Sequence, residues 1–223
     1  MKKLFIMALA LAGAGVAFCP SLSFAQQHNE NVWEYSGMNE QDYRYNIKMP
    51  DILGYKVLKC DFHIHTVFSD GQVWPIARVN EAWNDGLDCI AMTDHIEVRK
   101  NKTMLISDLN ESNKIAMKRG KEIGLLVIPG IEITRAKPFG HMNALFIQDA
   151  NKLEVKNPEE ALEEAHNQGA FILWNHPEWP NDTATLYPTH EKWLKEKKIN
   201  GIEVFNGREA YPLAMDWTIK YGV

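Results

Sequence analysis

His63 and His65 alternate with apolar residues in Cys60-Asp61-Phe62-His63-Ile64-His65, a run of strand character. A strand repeats its faces every two residues, so both imidazoles point the same way. Ser69-Asp70-Gly71 then turns the chain and carries a carboxylate past them. Two imidazoles on one face with an acid beyond them form an arrangement that can hold a metal ion. Groups of ligand type recur at comparable places downstream: His95 in Thr93-Asp94-His95, Glu132 in Gly130-Ile131-Glu132, His141 after Gly140, and His176 in Asn175-His176-Pro177.

A single histidine in a strand is most often a hydrogen-bonded core residue. Several uncompensated imidazoles gathered in one cavity are a different case, because burying them is costly unless cations offset that cost. The ligand set holds nitrogen and oxygen and no sulfur, which suits Zn²⁺, Mn²⁺ or Fe²⁺ and disfavours a structural zinc site. Glu132 is the natural bridge between two ions, having two oxygens where an imidazole has one free nitrogen. Ions a few ångströms apart lower the pKa of a shared water, and the hydroxide attacks a phosphoryl or carbonyl centre. His28, His166 and His190 lie in an arm, in a helix and at a helix start; they receive no role.

The elements that must position these groups follow a β-then-α rhythm. Strands are expected over 57–65, 87–93, 125–134 (interrupted at Pro129-Gly130), 141–147, 170–175 and 201–205. Helices are expected over 75–85, 108–123, 158–168, 191–198 and 212–221. Pro75 begins the first helix, Asp108 with Glu111 reads as a capping box for the second, which ends at Gly124, and Asn157 and Gly169 cap the third. Alternation of this kind predicts a parallel α/β fold with both sheet faces covered, and the continuous apolar run Leu125-Leu126-Val127-Ile128 fits it. The third and fourth strands are joined by too few residues for a parallel crossover, so they should form an antiparallel hairpin. That brings His141, at the start of the fourth strand, to the end of the sheet where the others finish. In parallel α/β barrels this is the functional end.

Taken together, these residues resemble the polymerase and histidinol phosphatase (PHP) family of metal-dependent phosphoesterases. The resemblance covers roughly residues 58–206. It is carried by Asp61-Phe62-His63-Ile64-His65-Thr66 with Ser69-Asp70-Gly71, by Ala91-Met92-Thr93-Asp94-His95, and by Pro129-Gly130-Ile131-Glu132-Ile133. Gly140-His141-Met142-Asn143, Asn175-His176-Pro177 and Gly201-Ile202-Glu203-Val204-Phe205-Asn206 complete it. It implies a distorted (βα)7 barrel with two or three divalent ions at the strand C-termini. It further implies one ion on His63, His65 and Glu132, a second on Asp70 and His95, and a third on Glu132, His141 and His176. Asp94 would stand behind a ligand imidazole and orient it, and Glu132 and Asp94 are the candidate catalytic residues. The family also closes its site with an Asp-x-His after a seventh strand, which does not follow Asn206 here; the expectation is a barrel incomplete at its C-terminus.

The remaining readings concern export and partners. Lys2 and Lys3, an apolar stretch over 4–18 and Ser23-Phe24-Ala25 have the form of a cleaved secretory signal, giving a division into a signal over 1–25, an arm over 26–56 and the hydrolase domain over 57–223. A periplasmic or secreted protein without a lasting membrane anchor is expected; Phe18 before Cys19 makes a poor lipoprotein signal. Without Lys2 and Lys3 the chain carries 22 basic and 29 acidic residues, a formal charge of −7. Such a surface repels polyanions, so a small phosphoester is the expected partner and nucleic acid is not. Cys60 and Cys89 read as two buried small side chains in strands, with a cross-strand disulfide left open. Trp174, Trp179 and Tyr187 near His176 read as packing residues, with stacking on a sugar or base as the other reading. Arg99, Arg135 and Arg208 are weak candidates for a phosphate subsite. Two other functions remain open: an amidohydrolase-like hydrolase of C–N or C–O bonds, and a non-catalytic metal-binding envelope protein.

Overall fold

A computed structural model describes residues 43–179, 183–207 and 209–223. The signal-like segment, residues 26–42 of the expected arm and Arg208 lie outside the described residues. Strands β1 (Cys60–Ile64), β2 (Cys89–Met92), β3 (Leu126–Thr134), β4 (His141–Leu145), β5 (Phe171–Trp174) and β6 (Gly201–Ile202) form one sheet in that order. Among the described residues five α-helices accompany them: α1 (Pro75–Asn84), α2 (Glu111–Ile123), α3 (Pro158–Asn167), α4 (Pro188–Lys195) and α5 (Pro212–Tyr221). Four of these begin with proline, whose missing N–H costs nothing in the first helical turn. Asn157 accepts a hydrogen bond from the Glu159 N–H at the start of α3, and Gly124 ends α2 in the left-handed conformation. Among the described residues no helix is long and apolar enough to cross a membrane.

Pairing is parallel from β1 to β3, antiparallel on both sides of β4, and parallel again from β5 to β6. Only β4 is reversed, as the short β3–β4 connection requires, and Thr134 lies opposite His141. The sheet is curled. His63 on β1 and Glu203 just past β6 belong to opposite edges, yet Nδ1 of one lies 3.0 Å from Oε1 of the other. Asn143 on β4 donates to the carbonyl of Phe62 on β1 at 3.0 Å.

The outer face packs on helices. Val79 and Ala82 of α1 and Ala116 of α2 cover Ile90, Met92 and Val127, while α3 and α4 supply Leu162, Ala165, Trp193 and Leu194 against Ile133, Met142 and Ile172. Inside the curl, Phe62, Cys89, Ala91, Ile128 and Leu145 form a small apolar floor. Along β3 and β4 the residues alternating with the outer core, Glu132, Asn143 and His141, rise from this floor.

Several local expectations are corrected. β1 begins at Cys60 rather than Val57, because the Lys59 N–H bonds the Asp88 side chain. β3 runs unbroken through Pro129-Gly130. Pro129 is the last partner of β2 and Gly130 the first partner of β4, so the proline sits where one ladder hands over to the other. Asp108 caps no helix by a box: its carboxylate takes the Asn110 N–H, the Asn151 amide and Lys114, and α2 starts at Glu111. Cys60 is exposed on the edge strand while Cys89 is buried, and both are free thiols. Phe205-Asn206 (β7) and Glu209-Ala210 (β8) form a separate short hairpin where the sixth strand was expected to continue.

Candidate metal centre

β1, through a bulge, presents His63 on the strand and His65 just past its end to the interior. Asp61 pairs with Ile90 and Ile64 with Met92, so β1 spends three steps where β2 spends two. The extra residue lets Phe62 join the floor while Ile64 still reaches the outer core and the two histidines face inward. The turn that follows carries Asp70, and Gly71 passes so close to the His65 backbone that a Cβ there would lie 2.7 Å from its carbonyl carbon. His95 lies just beyond β2 and bridges to Glu132 in the sheet. His141 opens β4, on the same face as Glu132 because Glu132 pairs with Asn143 two residues on. His176 follows β5 with φ +22°, a strained conformation for a non-glycine residue.

All seven ligand-type residues converge. Fully buried Glu132 places Oε2 3.2 Å from His63 Nε2, 3.3 Å from His65 Nε2 and 3.4 Å from His95 Nδ1. Its Oε1 lies 2.8 Å from His141 Nδ1 and 3.9 Å from His176 Nε2. Asp70 stands 3.6 Å from His95 and 3.9 Å from His65. Three compact triplets result: His63 with Glu132 and His176, His65 with Asp70 and His95, and His95 with Glu132 and His141. Glu132 and His95 each belong to two of the three, and His65 groups with Asp70 and His95. Six of the seven residues, all but Glu132, line a cleft of about 310 Å³ together with Trp179 and Asn206.

The donor set fits divalent cations on its own geometry. His65 Nδ1, His141 Nδ1 and Glu132 Oε1 are buried without a hydrogen-bond partner, even though the last two are neighbours. A buried carboxylate oxygen and a buried ring nitrogen so close but out of hydrogen-bond alignment are groups that a shared cation satisfies. Burial works to raise the Glu132 carboxyl, but the close approach of His141, the hydrogen bond with His63 and the surrounding imidazoles hold it well below the usual range. Burial pushes His65 and His176 down to about 4 and lowers His95, leaving neutral imidazoles able to coordinate. For His63 burial acts downward, and the hydrogen bonds to Glu132 and Glu203 outweigh it, raising the group to about 10.

The supporting residues were only partly legible. Asp94 was expected behind a ligand imidazole. Its oxygens instead accept from the Thr66 N–H at 2.6 Å and from the hydroxyls of Thr66, Ser69 and Ser112 at 2.8, 2.6 and 2.5 Å. It thus ties the loop bearing Asp70 to the start of α2. Glu203, whose chemistry the sequence left unassigned, takes the orienting position: Oε1 bonds His63 Nδ1, and Oε2 accepts from the His176 N–H at 2.7 Å and from Asn206 at 3.1 Å. Thr134 Oγ1 lies 2.5 Å from His95 Nδ1, and Asn175 donates to Asn143. Thr134 has no sequence signal, whereas Glu203 stands directly after a strand, as the ligands do. Arg99 and Arg135 face a separate cleft, where they pair with Glu154 and Glu97.

No protein-family model matches the chain. A two-domain protein of Bacteroides vulgatus containing a predicted PHP-like metal-dependent phosphoesterase is similar in structure, with TM-score 0.80 and 45% identity over 82% of this chain and 55% of that one. The resemblance to the PHP family read from the motifs is thereby borne out. A candidate metal-dependent phosphoesterase of Bifidobacterium adolescentis (TM-score 0.59, 16% identity, 75% of this chain and 85% of that one) shares the fold. So does an amidohydrolase of Chromobacterium violaceum solved with sulfate and no metal (0.55, 15%, 74% and 84%). An uncharacterized protein of Methanocaldococcus jannaschii is 35% identical over 83 residues, 36% of each chain. The chain spans about half the length of the Bacteroides protein and about a third of the archaeal one.

Proposed function

We propose that the chain is a metal-dependent hydrolase acting on small phosphoesters, with two or three divalent ions (Zn²⁺, Mn²⁺ or Fe²⁺) held by His63, His65, Asp70, His95, Glu132, His141 and His176 at the open end of a PHP-type barrel. One observation carries the reading: five imidazoles surround one buried carboxylate, each within 3.9 Å of it. Bound divalent ions supply the Lewis acidity that activates water and neutralises phosphoryl charge. Glu132 would supply the buried negative charge that offsets the charge of bound cations. Asp94 fixes the turn that delivers Asp70, and Glu203 fixes both the His63 ring and the His176 backbone. The acidic surface supports a small substrate over nucleic acid, and the N-terminal lysines and apolar run support export.

The test is purified protein stripped by chelator and reloaded with each metal, then offered phosphomonoesters, phosphodiesters and amides. Phosphoester hydrolysis should appear only in reloaded samples, with more than one ion per chain by elemental analysis. Amide cleavage without phosphoester cleavage would transfer the site to the amidohydrolase reading. Metal uptake without turnover of any substrate would leave a binding protein.

A further inference from the structure

We propose that Trp179 is a stacking platform that selects phosphoesters whose alcohol carries a planar aromatic ring, an inference that rests on the phosphoester reading above. Of the three aromatic residues that the sequence places near His176, two have packing roles. Trp174 is buried and stacks on Trp217 at 5.5 Å with an interplanar angle of 4°, and its other neighbour is His190 at 4.0 Å. Tyr187 rests against His190 at 5.8 Å. Trp179 is different. It is 55% exposed, and it lines the same cleft as the six cation-type ligands.

Its placement is fixed from the metal side. The Trp179 backbone N–H donates to the His176 carbonyl at 3.0 Å, so the residue sits one turn from a ligand. Its ring lies 4.6 Å from the His141 ring and 5.9 Å from that of His176. The contact with the imidazoles uses part of the indole and leaves the remainder open to water at the cleft rim. Among the described residues the others around the cleft are imidazoles, Asp70 and Asn206, so Trp179 is the large apolar surface among them. A phosphoryl group seated among the ligands therefore projects its alcohol past one aromatic face. An aromatic ring there gains offset or edge-to-face contact with the indole in addition to apolar burial. A saturated ring of equal size gains only the burial.

The experiment uses the metal-reloaded chain and two phosphonates, whose P–C bonds are not hydrolysed, with affinities read by calorimetry. Phenylphosphonate should bind roughly 3- to 10-fold more tightly than cyclohexylphosphonate, the range expected of one aromatic pair. Trp179→Ala should erase that ratio with metal content unchanged, and Trp179→Phe should keep most of it. A ratio that Trp179→Ala leaves intact overturns the stacking inference alone. Failure of both phosphonates to bind the reloaded wild type overturns the phosphoester reading, and the stacking inference falls with it.

Discussion

Glu132 is a fully buried carboxylate with five imidazoles inside 4 Å. Removing its charge while keeping its shape separates the role of a cation anchor from that of a packing residue. Glu132→Gln should retain the fold, since the amide fills the same space, and should lose at least one ion per chain by elemental analysis. Full metal content in that variant would mean that the imidazoles alone hold the ions. Glu203 acts one step further out. Its contacts orient the His63 ring and pin the strained His176 backbone, so Glu203→Ala should weaken metal affinity about 10- to 100-fold, the usual cost of removing a group behind a ligand. A chelator-competition titration measures this. An unchanged affinity would show that the bulge in β1 and the turn after β5 suffice to hold both ligands.

At the scale of elements, α4 docks on the sheet through His190, which is 1% exposed, bonds the Phe139 carbonyl at 2.8 Å, and lies between Trp174 and Trp193. Burial holds this imidazole neutral down to about 4. At neutral pH it is uncharged in the folded and unfolded chain alike and contributes no pH dependence. Below about 6.5 the unfolded chain takes up a proton that the folded chain refuses, so stability falls between about pH 6.5 and 4, by at most about 3 kcal/mol. His190→Gln keeps a donor for Phe139 and removes the titration. Its urea midpoints, measured in chelator, should fall less between pH 7 and 4.5 than those of the wild type; parallel slopes would show that the buried imidazole does not govern this range. The same elements show what a sequence carries. The β3–β4 reversal was legible because loop length alone decides it, and it put His141 in place. The helix α5 was legible to the residue, over 212–221. The capping box at Asp108 and the break at Pro129 failed because partners distant in sequence, Asn151 in one case and the handover from β2 to β4 in the other, outcompete the local signal. The bulge in β1 was invisible for the same reason: the extra step exists only relative to β2.

For the whole molecule, the centre joins elements from both edges of the curled sheet. His63 comes from β1 and His65 from just past it, Glu132 and His141 from β3 and β4, and His176 from beyond β5, while Glu203 closes the circuit from beyond β6 back to His63. Without cations, His65 Nδ1, Glu132 Oε1 and His141 Nδ1 are buried polar atoms without partners clustered at close range, and only the covalent strands and hydrogen bonds behind them resist their separation. A cation that binds the folded arrangement and not the scattered ligands of the unfolded chain stabilises the whole sheet by mass action, by about 2.7 kcal/mol at a free concentration 100 times its dissociation constant. For a chain of this length that corresponds to a rise in Tm of roughly 5–10 °C. Chelator-treated protein should therefore melt lower than the reloaded form by about this amount. Glu132→Gln should show little of the shift, and Trp179→Ala, which removes nothing from the ligand set, should show all of it. Equal melting temperatures with and without saturating Zn²⁺ or Mn²⁺ would mean that the clustered imidazoles do not form a cation site, and the proposed chemistry would go with them.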